Sequence, residues 1–215
     1  EAESRGWPVL DLSNPRHSRP LMLARTAAFY GTFVGAAAVG LAGSLVRRDP
    51  AVLIEQALPQ GNENGMALGG VRVSIVAGRE HLEEHRPCVF VFNHQSKLDV
   101  PVLIHLLRHD FTGVAKKEVR TVPVMGQIFD MAGMVFIDRG DSAKARQQLE
   151  PAVRKLREEG VSLVLAPEGT RSPTPRLGPF KKGAFHIAMQ AEVPIVPIVL
   201  RNTGDPYMSY PAALF

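Results

Sequence analysis

One cysteine, Cys88, stands in a chain of 215 residues. A single thiol excludes an intrachain disulfide framework and suits a reducing compartment. It lies in the apolar run CVFVF, where a cysteine acts as a small buried hydrophobe. The chain carries no zinc spacing read as such, no P-loop and no paired-glycine dinucleotide fingerprint, so no metal is expected. It has no internal repeat, which excludes a solenoid. An excess of one charge is nearly missing too: the net +4 helps at any anionic surface without choosing between membrane and nucleic acid. A methionine start and an obvious stop signal are also missing, since the chain opens EAESRG and closes YPAALF. The expectation is a piece of a longer protein, with room for a missing fused domain on either side.

What is present is ordinary globular composition, 45% hydrophobic and 21% charged, enough for one sizeable core or a domain plus an appendage. One long stretch breaks the pattern. From Thr26 to Val46 no side chain is charged, about the length that crosses a hydrocarbon core. Arg25 precedes it and Arg47 and Arg48 follow, anchoring both ends without deciding orientation. Gly31 and Gly35 form a small-xxx-small pair that suits close helix approach. Three readings stay open: a spanning helix, a helix or hairpin dipping into one leaflet, and a soluble helix packed on the domain. A second helical pattern restarts after Pro50, and PQGNENG reads as a loop by composition. Residues 1–60 are therefore expected to form a membrane-associating helical segment, and 61–215 an α/β domain.

After Gly70 the pattern changes. Runs at 71–76, 88–93, 111–115, 134–138, 161–166 and 193–201 read as strands, and four helical stretches alternate with them. Pro151 is expected to kink or split the third of these. Near-continuous apolar strands separated by helices predict a mixed, largely parallel sheet flanked by helices. In such sheets ligands bind beyond the strand ends.

Polar residues gather at those ends. HQSKLD follows the run CVFVFN and places Asp99 five positions after His94. Ser96 and Asp99 fit an S-x-x-D capping box, which would leave His94 a plain loop residue. The same residues fit a base with its orienting acid, because a carboxylate on one ring nitrogen fixes the tautomer and leaves the other nitrogen free to take a proton. Arg139 ends MVFIDR. Glu168, Gly169, Thr170 and Arg171 end VSLVLAPEGTR, where a glycine allows a tight turn and arginine offers a planar fork for phosphate. Lys116 and Lys117 end another run, and Lys181 and Lys182 open a helix. The set points to a base acting beside a bound phosphate.

These blocks, in this order, resemble the glycerophospholipid acyltransferase family, in particular the 1-acylglycerol-3-phosphate acyltransferases. HQSKLD resembles the family's H-x4-D block, GMVFIDR its arginine block, PEGTRS its E-G-T-R-S block and VPIVPIV its late proline block; the resemblance covers roughly Val89 to Arg201. It implies transfer of a fatty acyl group from an acyl thioester to the free hydroxyl of a lysophospholipid, giving phosphatidic acid when the acceptor is 1-acylglycerol-3-phosphate. Carried over by residue, His94 is the general base and Asp99 its orienting acid. Arg139, Glu168, Gly169, Thr170 and Arg171 bind the acceptor's glycerol phosphate, with Lys116 as a further candidate. Backbone N–H groups near His94 are the expected oxyanion donors. No cofactor is implied, acyl-CoA or acyl-ACP being the co-substrate. The partners are the acceptor lipid, the acyl donor and the cytoplasmic face of the cell membrane, with no nucleic acid. Other lysophospholipid or glycolipid acceptors, a thioesterase-like hydrolase and a non-catalytic lipid-binding module remain alternatives.

Overall fold

The computed structural model describes residues 19–49, 56–122, 125–138, 149–172, 176–201 and 203. Two helices come first, α1 (Arg19–Arg47) and α2 (Leu58–Gly69), then a single turn, α3 (His81–Glu84). The sheet follows: β1 (Val89–Phe92), α4 (Asp99–Leu107), β2 (Phe111–Lys116), a 3-10 turn (Lys117–Thr121), α5 (Met125–Met131), β3 (Val135–Ile137), α6 (Glu150–Glu158), β4 (Ser162–Leu165), α7 (Gly183–Ala191) and β5 (Ile195–Ile198).

The strands lie in the order β3-β2-β4-β1-β5 and every pairing is parallel rather than mixed. Parallel strands all end on one edge, so His94, Lys116 and Glu168, at or just after the ends of β1, β2 and β4, share that edge. Both faces of the sheet are covered. Val89 pairs with Leu163, and both pack under α6 and α7 with Ala152, Leu156, Ala184 and Ile187. One residue on, Phe90 pairs with Val164 and both pack under α4 with Val102, Leu103 and Leu107. That alternation is the two-residue period of a strand buried on both sides. Each fully buried Leu or Phe here contributes about 1.5–3 kcal/mol. Pro197 stands in β5, the edge strand beside β1, where a missing N–H breaks no ladder on the outer side.

Four sequence expectations change. PQGNENG is helix, not loop, because it lies within α2. Its glycines serve packing: a Cβ on Gly61 would sit 2.3 Å from the Ala36 Cβ, and one on Gly65 would sit 2.8 Å from the Thr32 hydroxyl. The close helix approach therefore runs through Gly61 and Gly65. Gly31 and Gly35 have nothing within 4 Å of their Cβ positions. The run at 71–76 joins no strand; Val71 and Val73 lie against the core while Arg72, Ser74 and Val76 are exposed, so the alternation is real but no ladder forms. Pro151 stands in the first turn of α6 and begins that helix, as a residue without an N–H can. The earlier part of that helical stretch, 142–148, lies outside the described residues.

The N-terminal helices are joined to the domain. Phe29 of α1 and Met66 of α2 belong to the same core cluster as Phe90 and Leu103. Asn62, fully buried on α2, donates to the Pro101 carbonyl of α4 at 3.0 Å, and Glu63 meets His105 of α4 at 2.6 Å. These bonds brace the helix that begins with Asp99. The other side of α1 is bare, with Leu23, Val34, Val39, Leu45 and Val46 all exposed. Among the described residues it is the helix long and apolar enough to cross a membrane, by length and composition.

Candidate active site

The site begins where β1 stops. Asn93 clasps the chain beyond β5: its side-chain amide donates to the Leu200 carbonyl at 2.8 Å, and its Oδ1 accepts the Leu200 N–H at 2.7 Å. His94 comes next, with 22% of its side chain exposed. Its Nδ1 lies 2.7 Å from Asp99 Oδ2. Asp99 is fully buried, and the same oxygen accepts the N–H groups of Gln95 at 2.8 Å and Ser96 at 2.9 Å. Helix start and His94 contact are thus one arrangement, since a single carboxylate oxygen serves both. The capping box is only half made, because the Ser96 hydroxyl accepts from Leu98 at 3.2 Å.

Burial pushes the Asp99 carboxyl upward. The bonds from His94, the Ser96 N–H, Thr203 and the Gln95 N–H outweigh it and hold the group below the ordinary aspartate value. Asp99 Oδ1 and the Thr203 hydroxyl are both buried, and neither makes a hydrogen bond of normal geometry. The hydroxyl still lies close enough to favour the charged form. An ionised carboxylate only accepts, so His94 Nδ1 carries the hydrogen and Nε2 is left with a lone pair. The ring packs edge-on to Phe92 at 5.4 Å.

The loop after β4 closes over the main chain of His94. Glu168 is 4% exposed; its Oε1 accepts the His94 N–H at 2.9 Å and its Oε2 the Gly178 N–H at 2.7 Å. The Ser172 N–H donates to the His94 carbonyl at 2.7 Å. Gly169 turns the loop at φ +73°, a region that favours glycine, and a Cβ there would lie 3.1 Å from the Lys181 side chain. Thr170 and Arg171 stand exposed at the rim. Lys116 is exposed at the end of β2, while Lys117 pairs with Asp138 and is held above the ordinary lysine value by that bond. The expected phosphate residue Arg139 lies outside the described residues.

Sequence reading did not find Asn93, Ser172, Gly178 or Thr203. Asn93 left one signal, a polar residue closing an apolar strand. The N–H groups of His94, Gln95 and Ser96 all donate to carboxylates, the first to Glu168 and the other two to Asp99. On the β5 side an open cleft of about 400 Å³ is lined by Phe92, Pro167, Leu177, Phe180, Ile198 and Val199, and is mostly apolar. Among the described residues, His81, Glu84 and His85 are the group whose ligand atoms lie close enough to hold a metal, within 4.8 Å of one another. All three are exposed, His81 and Glu84 on α3 and His85 at its C-terminal cap. Cys88 is fully buried, and burial pushes its thiol up to about 11.

A family model described as Acyltransferase matches residues 73–201, more than half of the chain. The chain belongs to the acyltransferase family. This acyltransferase is 40% identical over 149 residues to a 1-acyl-sn-glycerol-3-phosphate acyltransferase of Limnanthes douglasii, covering 66% of the chain and 52% of the relative. It is 42% identical over 138 residues to 1-acyl-sn-glycerol-3-phosphate acyltransferase beta of Homo sapiens, covering 64% and 49%. The chain spans about half the length of the curated relatives it matches. Its fold is similar to the crystal structure of the 1-acyl-sn-glycerophosphate (LPA) acyltransferase PlsC from Thermotoga maritima, with TM-score 0.64 and 25% identity, covering 83% of this chain and 73% of that one.

Proposed function

We propose that this acyltransferase moves a fatty acyl group from an acyl thioester, acyl-CoA or acyl-ACP, to the free hydroxyl of a 1-acylglycerol-3-phosphate, making phosphatidic acid. The observation that carries the proposal is the 2.7 Å contact between His94 Nδ1 and the buried Asp99 at the edge where all five strands end. The relatives, 1-acyl-sn-glycerol-3-phosphate acyltransferases by name, suggest the acceptor.

In this reading His94 Nε2 takes the proton of the acceptor hydroxyl as its oxygen attacks the thioester carbonyl. The C–O bond forms, the tetrahedral intermediate collapses, the C–S bond breaks, and the leaving thiolate receives the proton from His94. Asp99 holds the imidazolium in place and balances its charge. General-base help of this kind is worth roughly 10²–10⁴-fold. Gly169, Thr170, Arg171, Lys116 and Arg139 make the phosphate side. Neighbouring strands lie about 4.8 Å apart, so β2 ends roughly 10 Å and β3 roughly 14 Å from β1, on the side away from the apolar cleft. An amphipathic substrate fits such a division, its phosphate toward β2 and β3 and an acyl chain toward β5.

The bare face of α1 meets lipid on the cytoplasmic side, where the acyl thioester is available. Each buried methylene of a fatty chain gains about 0.8 kcal/mol, so the substrate stays in the membrane and the enzyme must work there. The test is thiol release from palmitoyl-CoA, and from palmitoyl-ACP, by the full chain in detergent with and without 1-acylglycerol-3-phosphate. Acceptor-dependent release supports the transferase. Acceptor-independent release marks a hydrolase. No release with either donor across a lysophospholipid panel marks a lipid-binding module.

A further inference from the structure

We propose that Glu168 is a positioning residue, tying the main chain of His94 to the segment that carries Gly178, and that it does not touch the acceptor. The proposal deepens the acyl-transfer reading and rests on it for its kinetic test alone.

Both oxygens of Glu168 are turned to main-chain N–H groups, His94 at 2.9 Å and Gly178 at 2.7 Å, and the residue is 4% exposed. Such a carboxylate has no free face for a lipid headgroup. The same loop grips His94 from its other side, since Ser172 donates to the His94 carbonyl at 2.7 Å. The loop is itself closed at its base by the Lys181 N–H on the Pro167 carbonyl at 2.8 Å. The main chain of the base is therefore bracketed fore and aft by one loop, while Asp99 holds its ring and the N–H groups of the two residues that follow. A misplacement of about 1 Å in a catalytic group costs on the order of 10²-fold in rate, which is the scale of what the bracket protects.

Glutamine is a poor substitute at this position. Two converging N–H groups need two acceptors, and an amide offers one oxygen and one NH2. One of the pair would face donor against donor. Gly178 tests the same clamp from its far end. A Cβ on Gly178 would sit 3.2 Å from Glu168 Oε2 and press on the bond.

Two readouts decide the matter. In acyl-transfer kinetics Glu168→Gln is expected to lower kcat about 10²-fold with the acceptor KM within about twofold. Gly178→Ala should lower kcat less, and the two changes together should cost less than the product of their separate effects. In hydrogen exchange of the full chain, the His94 and Gly178 amides should be protected in the wild type and lose protection in Glu168→Gln. A tenfold rise in acceptor KM at unchanged kcat, or unchanged exchange at both amides, overturns the proposal. Exchange needs no substrate, so it still decides the clamp if the acyl-transfer reading fails. If Glu168→Gln does not fold, Gly178→Ala carries both readouts.

Discussion

Replacing Asp99 by asparagine removes one charge and almost no volume. The amide oxygen can take the place of Oδ2 and keep neutral bonds from Gln95 and Ser96. The NH2 then occupies the Oδ1 position, which is buried without a normal hydrogen bond. What disappears is the negative charge 2.7 Å from His94 Nδ1. With charge centres about 4 Å apart and an effective dielectric near 20, the carboxylate steadies an imidazolium by about 4 kcal/mol. That converts to roughly 10³-fold in rate. The imidazolium forms only as the acceptor hydroxyl loses its proton, so the loss belongs in kcat and the acceptor KM should hold. Phosphatidic acid formation from a labelled acyl thioester, followed over a range of acceptor concentrations, reads both constants. A loss under tenfold, or one confined to KM, refutes the electrostatic argument.

Acid should erase the stability that Asp99 provides. Its native value is depressed, so its contribution is present above the unfolded value near 4 and is lost as pH falls through the native value; the stability gap between wild type and Asp99→Asn in urea should close below about pH 4. Gly61→Ala places a Cβ 2.3 Å from the Ala36 Cβ and should cost about 1–3 kcal/mol in thermal unfolding, whereas Gly31→Ala, in open space, should be neutral or gain up to about 1 kcal/mol. Cys88 is buried, with its thiol held up to about 11, and should take no thiol reagent at neutral pH until denaturant is added, then react with one equivalent. Arg171→Lys should raise the acceptor KM about tenfold with kcat little changed, because one ammonium does not replace a planar fork; an unchanged KM removes Arg171 from the phosphate site.

The sheet and the His94–Asp99 contact were legible because their signals are local. Each strand is a short apolar run, and His94 and Asp99 stand five apart across one strand–helix corner. The parallel direction of every strand then brought Lys116 and Glu168 to the same edge as His94. Gly61 and Gly65 were misread for a physical reason: glycine marks turns by its freedom, but here its missing side chain lets α1 lie against α2. The 71–76 run shows the complementary error, since alternation reports which side chains face the core and says nothing of whether a neighbouring strand is free to pair. The two bonds of Glu168 left no signal, because their partners are main-chain N–H groups, which every residue but proline carries and no sequence pattern announces.

The central claim is that His94 is the base of an acyl transfer. The most direct test compares wild type with His94→Ala in detergent, measuring phosphatidic acid formed from palmitoyl-CoA and 1-acylglycerol-3-phosphate, with thermal unfolding as the control for folding. The account predicts product from the wild type and a loss of at least about 10²-fold in a folded mutant. A folded His94→Ala protein that makes phosphatidic acid at the wild-type rate contradicts it.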